Sequence, residues 1–423
     1  MHPNALLEMT TELLRSVLKF DAAADGLVSM FFRKNRDLGP RERHTLAETT
    51  YAVLRQRLMY QHLAQSGKFN DQGPPERRLA MLAWQGNEAF LRAAMNPQEQ
   101  AWLAEALKID RTALPEKLRH NLPDWLANPL REALGDQFWP LVQSLSESAA
   151  LDLRVNTLKG KREDALQALQ EAGVAAEITP YSPWGLRLQG KPALNKMAIF
   201  TSGGVEVQDE GSQLLALLTD PKRGEMVVDF CAGAGGKTLA LGAAMRNTGR
   251  LYAFDTSGHR LDSLKPRLAR SGLSNVHPAQ ISHERDERIK RLSGKIDRVL
   301  VDAPCSGLGT LRRNPDLKWR QSPKALEELQ VKQTAILAGA ARLLKQGGRL
   351  VYATCSLLAV ENEKIAEAFT EAHGKDFVQV PALEALEAAK AGNPSGLVAG
   401  PYLRLWPHQH LTDGFFAAVW QRT

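Results

Sequence analysis

Apolar side chains return every three to four positions through the first third of the chain. Leu6, Leu7, Met9, Leu13, Leu14, Val17 and Leu18 fall at helical spacing. A second such stretch runs over residues 41–63 through Leu46, Tyr51, Leu54, Leu58 and Leu63, and Gly39-Pro40 ahead of it supplies a breaker and a helix start. Shorter helical pieces follow near 78–84 and 98–107, so residues 1–145 read as an all-helical domain. Alternation then replaces the helical period at 151–158 (LDLRVNTL). With a helix over 161–172 and short strands at 185–188 and 204–207, residues 146–222 read as a small α+β domain.

From 223 to 423 the pattern is strand, then helix, repeated. Strands are expected at 226–230, 251–254, 296–301, 350–353 and 414–420, and helices at 237–245, 260–270 and 358–369. Ser322-Pro323 reads as the cap and first position of a further helix to about 344, ended by Gly347-Gly348. Alternation with short glycine turns predicts an α/β domain built on a doubly wound, mostly parallel sheet.

Composition narrows the setting. At 423 residues the chain is long enough for two or three cores, and 43% hydrophobic with 24% charged residues is ordinary for a globular protein. No apolar run is long enough to cross a bilayer, and the first nine residues lack the pattern of a secretory signal, so no membrane partner and a cytoplasmic location are expected. Three cysteines without C-x-x-C spacing argue against a disulfide framework and a zinc site, and no metal is assigned. The net charge of +7 is concentrated: between Gly258 and Arg320 there are 14 Lys+Arg against 7 Asp+Glu. Such an excess suits a phosphate-bearing partner, although a solvated surface explains it equally well.

The segment 229–238, DFCAGAGGKT, lies between a strand and a helix. Gly233, Gly235 and Gly236 let the backbone turn tightly against a ligand. Asp255 ends the next strand nineteen residues after Gly236, where a carboxylate can accept both hydroxyls of a ribose. NAD, ATP and S-adenosylmethionine compete for such a crevice. A P-loop needs glycine where Cys231 stands, which counts against ATP.

Two cysteines change the picture. Cys305 (in IDRVLVDAPCSG) and Cys355 (in RLVYATCS) each follow an apolar strand by a few residues. In a parallel sheet both then reach the rim that carries the glycine loop, whereas a core cysteine would sit within its strand. A thiol beside a methyl donor has a use. Carbon 5 of a pyrimidine is a poor nucleophile until a thiolate adds to carbon 6. Free cysteine has a pKa of about 8.5, so a basic setting would help. Asp302 is placed to hydrogen-bond or protonate the ring, or alternatively to cap the DAPC turn.

The motifs DFCAGAGGKT, DAPCSGLG and TCS, in that order, resemble the RNA 5-methylcytosine methyltransferase family (the Nop/Sun group). The resemblance implies a class I, Rossmann-like S-adenosylmethionine methyltransferase sheet. It implies Cys355 as nucleophile, Cys305 as the residue assisting release, and Asp302 beside them. It places the cofactor at Cys231, Ala232, Gly233, Ala234, Gly235, Gly236, Lys237, Asp255 and Asp302. Two departures stand out: Ala232-Gly233-Ala234 replaces the usual Ala-Ala-Pro, and no acidic residue follows the third strand within 276–281 (VHPAQI). Segments 153–158 (LRVNTL), 205–212 (VEVQDEGS) and 406–416 (WPHQHLTDGFF) match the small RNA-contacting domain and the closing segment of the family. Residues 41–57 resemble the NusB-like domain of its bacterial ribosomal small-subunit members.

The loop 310–320 (TLRRNPDLKWR) offers Arg312, Arg313, Lys318 and Arg320 as phosphate grips and Trp319 as a base-stacking or core residue. His408 and His410 lack metal-ligand company and read as structural. The expected function is methyl transfer from S-adenosylmethionine to cytosine carbon 5 in RNA, 16S rRNA foremost and tRNA as the alternative, by a monomer. A dehydrogenase using the same crevice and a non-catalytic RNA-binding assembly factor are the rivals.

Overall fold

The computed structural model describes residues 1–66 and 73–423. Its contacts divide into two compact units, Met1–Ser148 with Leu311–Ser322, and Ala149–Thr310 with Pro323–Thr423.

The first unit is helical. Helix Pro3–Val17 buries two faces: Leu7 and Leu14 pack with Val53, Leu63, Leu79 and Trp102, while Leu6, Leu13 and Val17 pack with Leu46 and Leu54. The long amphipathic stretch is two helices, Pro40–Arg55 and Arg57–Ala64, parted at Gln56 (φ −120°, ψ 34°). The break lets Leu46 and Leu54 serve one cluster and Met59, Tyr60 and Leu63 the other. Helix Pro97–Leu107 starts with a reciprocal cap between Asn96 and Glu99, and Glu99 also takes the Arg77 guanidinium at 2.6 Å. Leu311–Ser322 belongs to this unit although its sequence neighbours belong to the other.

In the second unit, β1 (Leu151–Val155), β2 (Ala176–Ile178), β3 (Gly185–Leu188) and β4 (Val205–Val207) form an antiparallel sheet in the order β2-β3-β1-β4. Helix Arg162–Glu171 sets Ala165 and Leu169 against Leu153, Leu186 and Val205.

The large sheet holds β5 (Met226–Asp229), β6 (Arg250–Asp255), β7 (Val276–Gln280), β8 (Ile296–Asp302), β9 (Leu344–Thr354), β10 (Phe377–Val380), β11 (Val398–Ala399), β12 (Tyr402–Leu405) and β13 (Phe415–Arg422). Their order is β11-β12-β13-β9-β8-β5-β6-β7, with β10 also on β13. The run from β9 to β7 is parallel and every pairing of β10 to β13 is antiparallel, so the sheet is mixed rather than mostly parallel. Strands β5, β8 and β9 are apolar on both faces because helices cover both sides. Gly347-Gly348 lies inside β9, beside a register shift against β8, instead of ending a helix. The helix expected at 358–369 is Glu363–His373, since Glu361 and Asn362 spend their side chains on hydrogen bonds with Ser306 and Ser356 outside the helix. Among the described residues no helix is long and apolar enough to cross a membrane.

Because β5, β6, β8 and β9 are parallel, their carboxyl ends open on one edge. That edge carries the glycine turn, Asp255, Asp302 with Cys305, and Cys355.

Candidate active site

The glycine turn joins β5 to helix Gly236–Ala244. Gly235 sits at φ +82°, and a Cβ there would lie 2.1 Å from Leu264 Cδ1, so the position takes glycine for both conformation and space. The turn is braced from outside: Arg267 donates to Ala234 O at 2.7 Å and to Glu206 Oε2 of β4 at 3.1 Å. Asp255 Oδ2 accepts from the Gly233 amide and Oδ1 from the Ser257 amide, both at 2.8 Å. Each oxygen keeps a second lone pair for a ligand hydroxyl. Asp229 is fully buried; burial pushes its carboxyl up to about 7 against the Thr238 hydrogen bond, and its Oδ1 has no hydrogen-bond partner.

The reactive side chains come from three strand ends. Lys237 Nζ meets Asp302 Oδ2 at 2.7 Å. Burial works against the Lys237 charge, but Asp302 and, beyond it, Cys355 outweigh burial and raise its pKa. The sulfurs of Cys305 and Cys355 are 3.5 Å apart. The hydrogen bond with Cys355, then burial, push the Cys305 thiol well above its ordinary value. Burial, with Asp302, Asp229 and Asp255 nearby, likewise raises the Cys231 thiol.

A cavity of about 750 Å³ opens beside these groups, within the size range of small-molecule and cofactor sites. Cys231, Asp255, Asp302, Cys305 and Cys355 line it, while Ala232, Gly233, Ala234 and Gly235 form the adjoining turn and Gly236 and Lys237 open the helix that follows it. Several lining residues carried no signal in the sequence. Helix Pro323–Ala341 contributes Val331, Lys332, Ala335 and Ile336, of which Val331 is 72% exposed. Past β7, where 276–281 holds no acidic residue, Glu284 reaches the cavity wall. A search three residues further along the chain would have found it. The residues fit a sulfonium nucleoside: the Asp255 carboxylate for a ribose, further acidic side chains at Asp302 and Glu284 on the cavity wall, and a glycine turn.

The loop after Cys305 departs from expectation. Arg312 and Lys318 are 7% and 5% exposed, so neither offers a phosphate an open cation. Arg312 Nη2 donates to Ser148 O at 3.3 Å and Lys318 Nζ to Arg55 O at 2.8 Å. Burial lowers Lys318 to about 7. Trp319 donates to Leu54 O at 2.9 Å and packs beside the Leu46 and Leu54 cluster, taking the core alternative over base stacking. Arg313 is half-buried; Arg320 is exposed, 3.2 Å from Asp316 Oδ2. His410 bonds to Trp406 and Gly396 O, a structural use.

A mixed Rossmann-like sheet with a glycine turn and a paired-thiol cavity, behind a ferredoxin-like α+β domain, defines a class of methyltransferases. The family model described as 16S rRNA methyltransferase RsmB/F matches residues 216–421, and that of the RsmF/B-like ferredoxin-like domain matches 122–195. A probable ribosomal RNA small subunit methyltransferase B of Synechocystis sp. is 31% identical over 438 aligned residues, covering 96% of this chain and 97% of the relative. Ribosomal RNA small subunit methyltransferase B of Yersinia pseudotuberculosis is 33% identical over 296 residues, 70% of this chain and 65% of the relative. Among solved structures, PH0851 aligns over 99% of both chains with a TM-score of 0.79 at 26% identity. The chain belongs to the RsmB/F family and is an S-adenosylmethionine-dependent RNA cytosine-5 methyltransferase.

Proposed function

We propose that this chain methylates carbon 5 of a cytosine in 16S rRNA through a transient bond from the Cys355 sulfur to carbon 6. One observation carries the reading: Cys305 and Cys355, 3.5 Å apart, share a cavity wall with Asp255 and Asp302. S-adenosylmethionine, when bound, supplies an electrophilic methyl group. Asp255 would accept the ribose hydroxyls, and the 231–237 segment with Asp302 would line the pocket that holds the cofactor.

Cys355 adds to carbon 6 as thiolate. The carbon 5–carbon 6 π electrons move toward carbon 5, which takes the methyl group. Asp302, held by Lys237, hydrogen-bonds the ring as charge develops. The carbon-5 proton then passes to solvent, with Cys305 assisting, and its bonding pair restores the double bond as the carbon–sulfur pair returns to Cys355. The base must leave its stack to enter the cavity, which favours a loop or single strand. The family and the printed names of its relatives support 16S rRNA.

RNA containing 5-fluorocytosine tests the reading, since fluorine cannot leave as a cation. Wild type should form a stable protein–RNA adduct and Cys355→Ser none; trapping that persists in Cys355→Ser overturns the assignment. Bisulfite sequencing of rRNA and tRNA, with and without the protein, identifies the target, and a change confined to tRNA overturns the substrate.

A further inference from the structure

Glu361 has no accessible surface, and among the described residues no cation pairs with it. Its carboxylate instead gathers donors from both cysteine-bearing turns. Oε1 accepts from the Ser306 amide at 2.8 Å and from Gln333 Nε2 at 3.1 Å. Oε2 accepts from the hydroxyls of Ser306 and Ser356. Ser306 directly follows Cys305 and Ser356 directly follows Cys355. The two hydroxyls are 3.2 Å apart, so one carboxylate closes a bridge between the turns immediately behind the two thiols. Gln333 extends it by donating to Pro304 O at 3.0 Å, just ahead of Cys305.

Burying a carboxylate is costly, and an apolar side chain would fill the same space more cheaply. The compensation is four donors drawn from the Cys305 turn, the Cys355 turn and helix Pro323–Ala341. Other ties hold the Cys355 turn. Asn362 Nδ2 donates to Ser356 O at 2.9 Å and Arg404 Nη2 to Leu357 O at 2.7 Å. Gly309 N donates to Cys355 O at 2.8 Å, and a Cβ on Gly309 would lie 2.0 Å from Gly414 O. Among these, Glu361 is the group whose two oxygens reach both serines.

We infer that Glu361 is a positioning residue, fixing the Cys305 and Cys355 turns to one another so that attack and release act on the same base without rearrangement. The inference rests on the two-thiol reading above, and its test must stand apart from that reading. Phenylarsine oxide does so: it condenses with two thiols, forming two As–S bonds and releasing one water, and it binds tightly only when the sulfurs are already adjacent. Wild type should take up one equivalent, and Cys355→Ser should lose the bridged form. Glu361→Ala should weaken bridging by about tenfold or more through lost preorganisation. Glu361→Gln keeps a carbonyl acceptor and can donate to both hydroxyls, so it should remain within about threefold of wild type. In parallel, kcat for RNA methylation should fall about 30-fold in Glu361→Ala while KM for S-adenosylmethionine holds within about twofold. If Glu361→Ala does not fold, the double variant Ser306→Ala/Ser356→Ala takes its place with the same expectations. Bridging within about twofold of wild type in the folded variant overturns the inference, and so does unchanged kcat where bridging is weakened. A wild type that bridges the arsenical but methylates no RNA strikes the proposed reaction instead, leaving the arsenical comparison to decide the positioning.

Discussion

Lys237 Nζ sits 2.7 Å from Asp302 Oδ2, tying the first turn of the cofactor helix to the strand end that leads to Cys305. Removing the cation leaves Asp302 unpaired beside the cavity. Lys237→Met should lower kcat by about two orders of magnitude, a loss of about 3 kcal/mol of charge-assisted hydrogen bonding. Asp302→Asn should cost a similar factor, and the double variant should lose little more than either single change, because the pair acts as one unit. Steady-state methylation of RNA measures all three; full additivity would separate the two roles.

The Cys305 thiol is held above its ordinary value first by its hydrogen bond with Cys355. A raised thiol pKa means less thiolate, and slower alkylation, at a given pH. In Cys355→Ala that cause disappears, so Cys305 should react faster with iodoacetamide at pH 8, as read by peptide mass spectrometry. Equal rates would show that burial alone governs this thiol.

Cys305→Ala should leave attack intact and slow release. The expected sign is accumulation of a protein–RNA adduct on ordinary cytosine RNA, visible as a shifted band on denaturing gels. Unchanged turnover with no accumulated adduct would remove Cys305 from the release step.

Gly235→Ala introduces a Cβ at φ +82°, 2.1 Å from Leu264 Cδ1. Backbone strain and overpacking together should cost about 1–3 kcal/mol. The melting temperature should fall, and S-adenosylmethionine affinity should fall with it, because the displaced turn adjoins Asp255. Calorimetry of the free and ligand-saturated protein separates the two losses.

Lys318 is buried, and its pKa drops to about 7 from an ordinary 10.5. Between those values the unfolded chain holds a proton that the folded chain has lost, so this residue makes stability rise as pH rises from about 7 to 10.5. Below pH 7 the full cost of burying the charge remains. Lys318→Met should therefore raise the melting temperature more at pH 6 than at pH 10. An equal gain at both would show that Lys318 stays charged throughout.

What could be read from the chain follows the physics of burial. Strands β5 and β8 appear as apolar runs because both their faces are covered. Helix Glu210–Thr219 escaped for a related reason: it is buried on all sides, so LLALL shows no helical stripe. Strand β2 is three residues long and mostly exposed, and β11 has only two residues, so neither shows a period. Cys305 and Cys355 stood out because each lies just past an apolar strand. Glu361 did not, because the serines it joins are 55 and 5 residues away and an acid ahead of a helix passes for ordinary first-turn chemistry. Arg312 and Lys318 misled because basic character in a loop says nothing of which way a side chain turns; both spend their donors on backbone carbonyls of the helical unit.

The segment Leu311–Ser322 has a practical consequence for anyone cutting this gene. A fragment beginning at Ala149 would retain Leu311, Lys318 and Trp319 while discarding Leu54 and Arg55, whose carbonyls cap two of those side chains. Such a truncation would expose an orphaned tryptophan and a sticky, cationic tongue a few residues from Cys305. Dissection of this enzyme therefore calls for excising that tongue together with the helices, or for leaving both in place.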